Sequence, residues 1–555
     1  MIDAFASLLN QGFAYIVPMI VLLGLLIFVH ELGHFLAAKY FKVRVEVFSL
    51  GFGRKILQFK KGDTQYCISI LPLGGYVKMF GDEPGKEIPT QEKEYSFLHK
   101  PVGQRIVIAL AGPVMNLFFA GLLFHTIAVL GEKAPAPIVG ELASNSQAHE
   151  LGFRNYDVIR SVNDHKIETW TQFENLVETS AGQSLSVHIL RQGQPETLEI
   201  TPIQVKNDNL FSTAETIGRI KGLNSKIHLP FIGVAPGGPF ALAGFKNGDQ
   251  ILSINDQNIE WFKDIRPTLL EALYNEGGAA TVKVKRYSDF RKGEVEKEFS
   301  IHLDGRDFTS GELGIFIPEM VIGEVQKDSP AEKIGLQRLD TIVSINGHEI
   351  HSFDDILKNV SGYEPDGAPL KFEIHRGDQR QTFDIVPKMN SLEGEYGEIE
   401  NRFTVGVTPV LFSIPQSFTW KSPGFFHATG RALEQSWHWT KLTLLSFLRI
   451  VQNKVSSKNL SGFISIGQVA HKSWQIGAVP FLKMMAVISI NLFILNLLPI
   501  PILDGGHLLL FTLEAIKGAP LSLRKIEVAQ QIGFLIIIFL MAFALFNDFS
   551  RIFGS

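Results

Sequence analysis

The sequence predicts a polytopic α-helical membrane protein of about four transmembrane helices, with α+β modules inserted between the second and third helices on the extracytoplasmic side. Three observations predict it. Strongly apolar segments lie at both ends of the 555 residues, around an ordinary soluble middle. The middle repeats one pattern three times, at spacings of 92 and 91 residues. Lys and Arg concentrate in a single loop between two apolar segments.

The first apolar segment runs from Phe13 to Ala38 and carries no charge from Phe13 to Val29. No basic stretch precedes it, so it reads as a retained helix and not as a cleaved signal peptide. The second follows Arg105 as IVIALAGPVMNLFFAGLLFHTIAVLG and ends near Gly131. The third is Phe481 to Leu503, and the fourth Ile532 to Phe546. The fourth is short for the roughly 20 residues a bilayer core needs, unless turns around Val528 and Ala529 extend it; a buried core helix is the alternative. Twelve Lys and Arg lie between Lys39 and Arg105, and none precedes the first segment. The positive-inside rule therefore places that loop in the cytoplasm and the long segment after span two outside.

The repeated pattern reads GFRNYDVIRSVN from Gly152, GFKNGDQILSIN from Gly244 and GLQRLDTIVSIN from Gly335. Each copy has Asp five residues after the Gly, then an alternating strand that ends in Asn. A repeat of this length is a small domain, too large for a solenoid unit. The implied boundaries are 1–131 for spans one and two with their loop, 132–222, 223–311 and 312–392 for the modules, 393–478 for a linker with amphipathic helices, and 479–555 for spans three and four. Asn155-Tyr156 and Arg338-Leu339 stand where the turn of the second copy has Asn247-Gly248. Glycine normally supplies positive φ there, which leaves the turn open in copies one and three.

Composition narrows the chemistry. The chain is 45% hydrophobic and 19% charged, with a mean hydropathy of +0.14. A net charge of −4 carries no footprint for nucleic acid. Cys67 is the only cysteine, which excludes an intrachain disulfide framework and a cysteine zinc site. A metal would have to be held by His and carboxylate.

Such a set exists. His30, Glu31 and His34 form HELGH inside the first span. On a helix, residues i and i+4 share a face, so both imidazoles can ligate one ion while Glu31 activates water. Ionisable residues within an apolar span are costly and functional by default. A third ligand is still required. Asp504, in NLLPIPILDGGH at the end of span three, is the leading carboxylate, with His507 as its rival and a turn or N-cap role as its alternative. At 1.5 Å per residue, His30 lies about 25 Å into span one and Asp504 about 30 Å into span three. Pro499 and Pro501 break the helix before Asp504. Broken backbone at that depth requires protein or a water-filled cavity beside it.

These motifs, with LPLGGYVKM (71–79), AGPVMN (111–116), NLSGFISIG (459–467) and LFNDFSRIF (545–553), resemble the site-2 protease family of intramembrane zinc metalloproteases, in its bacterial sigma-factor-regulating branch. The repeats resemble PDZ domains of the bacterial protease type, which bind extended peptides or C-termini by strand addition; some copies could instead be spacers. In the third copy, LGIF (Leu313 to Phe316) is where the carboxylate-binding loop would fall. The resemblance implies Zn2+ held by His30, His34 and Asp504, with Glu31 as general base. It implies substrate contacts at Asn496 and Pro499, and at Gly74, Gly75 and Tyr76 in a membrane-associated β-hairpin from Arg54 to Met79, where PLGGYVK is read as a turn. It implies a multi-pass protein of the bacterial inner membrane, with HELGH near the cytoplasmic side and periplasmic modules that filter substrates by size. Single-pass membrane proteins would be cut, anti-sigma factors and remnant signal peptides among them. Two features depart from the family: three repeats in place of one or two, and Phe463 in place of a proline. The alternative function is a membrane-anchored scaffold with a silent metal site.

Overall fold

The computed structural model describes residues 2–553 apart from short stretches at 84–87, 143–145, 208–211, 213, 290–292, 303–312, 351–352, 365–366, 378, 394–398, 411–412, 453–461 and 520–521. Residues 459–461 of NLSGFISIG thus lie outside the described residues. Two compact units form, one from Met1–Lys133, Asn209–Thr213 and Thr419–Ser555, the other from Ala134–Asp208 and Ala214–Phe418.

The first unit opens with helix α1, Ile2–Tyr40, followed by a hairpin of β1, Val45–Lys61, and β2, Thr64–Met79. The chain reverses at Gly62, where φ is +63°. PLGG is therefore not the turn: it continues β2, with Gly75 opposite Leu50 and Tyr76 opposite Ser49. Gly74 lies under the Phe52 ring, where an added Cβ would collide at 1.9 Å. Residues 75–79 pair with 45–50 on one side, and 45–50 also meet 65–68. Helix α2, Val102–Leu130, returns along α1. Gly33 permits this approach, since a Cβ there would stand 2.3 Å from the Ala111 carbonyl oxygen.

The second unit holds three modules, each a small sheet with one main helix: α3 Trp170–Thr179, α4 Phe262–Asn275 and α5 Phe353–Ser361. The strands pair antiparallel. The repeated residues explain themselves. Asp157, Asp249 and Asp340 are 0–1% exposed. Each accepts two hydrogen bonds from an arginine on the strand that follows its module's main helix, Arg191, Arg286 or Arg376. The same arginines donate to the carbonyls of Gly152, Gly244 and Gly335. A buried carboxylate is tolerable only when paired and hydrogen-bonded in this way. The strand-ending Asn163, Asn255 and Asn346 turn with positive φ and accept from the N–H groups of Ser186, Thr281 and Lys371. Two successive positive-φ residues make the reversed hairpin turn that matches strand twist. Tyr156 and Leu339 adopt φ of +70° and +71°, against +81° at Gly248, so all three copies keep the same turn without glycine in two of them.

Module boundaries differ from those implied by the repeats. Ile315–Phe316 pairs with Phe231–Val234 of the second sheet, and Leu313 and Ile315 pack in its core with Ile232 and Phe240. LGIF therefore closes the second module and does not open the third. The third module likewise continues past 392, because Val405 lies in its core beside Phe372. A positive-φ glycine ends each module, at Gly222, Gly314 and Gly406. Each faces a small residue that precedes a short helix, namely Ser146, Gly238 or Ser329.

Back in the first unit come α6 Phe425–Val451, α7 Phe463–Ile476, α8 Ala478–Leu497, α9 Asp504–Lys517 and α10 Leu523–Phe553. Among the described residues four helices are long and apolar enough to cross a membrane, over Val17–Tyr40, Val102–Leu130, Ala478–Leu497 and Arg524–Phe549. The first three share a core that joins Leu22 and Leu26 of α1, Leu123 and Phe124 of α2, and Met485 and Ile490 of α8. On α10 most large apolar side chains are exposed, whereas Asp548 is buried. Asp548 accepts from the backbone N–H groups of Gly462, Ile464 and Ser465 and so caps α7.

Candidate metal centre

Helix α1 brings His30 and His34 onto one face, with their Nε2 atoms 3.2 Å apart. Asp504 completes the set: its Oδ2 is 3.1 Å from His30 Nε2 and its Oδ1 3.4 Å from His34 Nε2. A tetrahedral zinc with ligand bonds near 2.0–2.1 Å wants donors about 3.3 Å apart, so this donor set fits the ion in spacing and in chemistry. Among the described residues it is the one His/Cys/Asp/Glu group of such convergence. His507, the rival ligand, lines the same cavity without joining the triad.

Asp504 reaches this place through a broken backbone. Helix α8 ends at Leu497, and Leu498 is extended at φ −62°, ψ 142°. Residues 498–503 turn back through Ile500 N–H to Leu498 and Leu503 N–H to Ile500. Both glycines after Asp504 are required. A Cβ on Gly505 would stand 2.3 Å from the Leu498 carbonyl oxygen, and one on Gly506 would stand 2.3 Å from that of Ile500. Asp504 is then the first residue of α9, whose positive N-terminal end favours a carboxylate. This helix is an element the sequence reading did not contain. Its far end is held by Glu514, which accepts two hydrogen bonds from Arg105 of α2 at 2.6 and 3.1 Å. The guanidinium also lies 5.0 Å over the Phe511 ring.

Helix α2 supplies the surroundings of the histidines, a role that the AGPVMN motif alone does not disclose. His34 Nδ1 donates to the Ile108 carbonyl at 2.8 Å, since a carbonyl can only accept. The proton is thereby fixed on Nδ1, and Nε2 keeps its lone pair for a metal. Gly112 leaves room for that imidazole: a Cβ there would be 2.2 Å from His34 Nε2. Asn116, fully buried, lies with Nδ2 3.3 Å from His30 Nδ1.

Glu31, Gly75, Tyr76 and Val77 line one cavity of about 690 Å³ together with His30, His34 and Asp504. The Val77 backbone lies close to the Glu31 carboxylate. Gly75 is needed for this contact, because a Cβ would come within 2.9 Å of Glu31 Cγ. Asn496 and Pro499 do not line this cavity, nor does Gly74. A larger apolar groove of about 1110 Å³ between α2, α6 and α8 contains none of the triad.

The chain matches peptidase family M50 over residues 18–540. It is 30% identical to the regulator of sigma-E protease RseP of Escherichia coli (strain K12), over 96% of this chain and 98% of that one. It is 29% identical to the RseP of Salmonella typhimurium (strain 14028s / SGSC 2262), with the same coverage. A solved PDZ domain protein from Parabacteroides distasonis matches 49% of this chain and 95% of its own at 12% identity, with a TM-score of 0.12. With a zinc-fitting donor triad, a carboxylate beside it and a family match across nearly the whole length, the chain belongs to peptidase family M50, the site-2 proteases, and is a zinc metalloprotease.

Proposed function

We propose that the protein cuts transmembrane segments of single-pass membrane proteins whose outer domains another protease has already trimmed. Anti-sigma factors are the principal substrate class and remnant signal peptides a second. The observation that carries this reading is the His30–His34–Asp504 triad, its two histidines on a bilayer-length helix and its aspartate just beyond another, with Glu31 in the same cavity. The relatives named regulator of sigma-E protease support the substrate class.

Zinc, when bound by this triad, supplies Lewis acidity toward a peptide carbonyl and toward water. Glu31 takes the proton from the attacking water and passes it to the departing amide nitrogen. The substrate helix must unwind first, because helical carbonyls are hydrogen-bonded. Residues 75–79 are the strand edge beside Glu31, and an unwound substrate pairs there. Asn496 and Pro499 belong to the approach of the substrate, at the end of α8. The basic loop lies in the cytoplasm, and the three PDZ-like modules lie outside, where they exclude bulky ectodomains. Peptide reception falls to the PDZ-like modules, by strand addition.

The test is reconstituted cleavage of one single-pass substrate with and without a folded outer domain. Only the trimmed form should be cut, and helix-breaking residues near the scissile bond should speed the cut. Equal rates for both forms would remove the size filter.

A further inference from the structure

We infer that Asn116 is a positioning residue of the metal centre, one that holds His30 in its metal-binding tautomer; the inference rests on the zinc reading above. His30 can give a metal its Nε2 only if Nδ1 carries the ring proton, and that N–H then needs an acceptor. Asn116 is the side chain in hydrogen-bonding range of Nδ1, at 3.3 Å. It is 0% exposed, and its Oδ1 is one of the few buried polar atoms without a partner among the described residues. An amide's oxygen and nitrogen exchange places by a half-turn. Turned so, the orphaned Oδ1 meets Nδ1–H, and the amide serves the tautomer the metal requires.

The rest of α2 fits this role. Ile108, eight positions before Asn116, fixes the tautomer of His34 by the same logic with a backbone carbonyl. Between them Gly112 lets α2 approach the imidazoles. The Asn116 main chain is itself anchored, since its carbonyl accepts the Ser489 hydroxyl of α8 at 2.7 Å. One face of α2 therefore sets both histidines, by a backbone carbonyl at one and a side-chain amide at the other.

The test is zinc affinity of the full-length protein in detergent, by competition with a chelator, for Asn116→Leu, Asn116→Asp and His30→Ala. Asn116→Leu, similar in size but with no acceptor, should weaken zinc binding by about 10–100-fold. Asn116→Asp keeps an acceptor for Nδ1–H and should bind within a few-fold of the parent. A purely structural asparagine would not be rescued in this way. Parent-like affinity in Asn116→Leu overturns the inference, and so does a loss in Asn116→Asp equal to that in Asn116→Leu. If Asn116→Leu does not fold, Asn116→Asp decides alone. His30→Ala separates the two levels: if it retains full zinc, the metal site is wrong, whereas its loss beside an unaffected Asn116→Leu refutes the asparagine's role alone.

Discussion

Gly112 shows how much a single missing side chain decides. Replacing a mid-helix glycine with alanine ordinarily stabilises a helix by about 1 kcal/mol. Here the added Cβ would stand 2.2 Å from His34 Nε2, one of the converging donor atoms of the candidate metal centre. Gly112→Ala should therefore weaken zinc binding by about tenfold or more, on the scale of other disturbances around metal ligands. Gly103→Ala, on the same helix with nothing within 4 Å, should leave it unchanged. Chelator competition on both variants checks this, and equal zinc affinities would contradict it. At this scale the sequence was legible where spacing implies geometry. His30 and His34 four apart share a helix face, and an aspartate after a proline break made Asp504 the leading third candidate ahead of His507. Asn116, Ile108 and Gly112 were not legible, because their effect depends on which turn of α2 faces α1.

Helix α9 is the element that carries Asp504, and one ion pair ties its far end down. Arg105 and Glu514 are 7% and 15% exposed. Removing one partner of a buried pair leaves the other charge uncompensated and costs about 3 kcal/mol. Glu514→Gln should lower the thermal midpoint by several degrees and weaken zinc binding. Lys166→Gln, which breaks a pair whose lysine is 79% exposed, should do neither. Thermal melts in detergent test this, and an unchanged midpoint in Glu514→Gln would show that α9 is held by other contacts. The four candidate membrane helices could be read from hydropathy, because crossing a bilayer demands length. Helix α9 could not, because HLLLFTLEAIK is too short for a span; the left-handed Gly518 that ends it was the available signal. PLGG was misread as a turn because glycines mark turns, whereas Gly74 and Gly75 lie in β2 under Phe52 and against Glu31.

Across the molecule, the repeat made the number of modules legible but not their ends. Each closing glycine follows its repeat motif, and counting from the motif alone cut the second module before LGIF. Nor did the sequence reveal that the three modules share a charged clasp. His228 bridges Glu141 and Glu319 through its two ring nitrogens. Burial opposes the charged ring, but the hydrogen bonds to both carboxylates outweigh it and lift the His228 pKa to about 9. A raised folded-state pKa contributes stability that is full below the ordinary histidine range and is lost as pH rises through about 9. The thermal midpoint of the parent should therefore fall toward that of His228→Gln between pH 7 and pH 10, a range taken from that shift. A gap between the two that stays constant over the range would contradict the clasp. The central claim concerns chemistry, and one measurement tests it most directly: cleavage of a purified single-pass substrate by zinc-loaded Glu31→Gln, with metal content measured on the same sample. Full zinc with the cleavage rate reduced by about 10²–10⁴-fold is the result this account predicts. Parent-like cleavage with zinc still bound would contradict it.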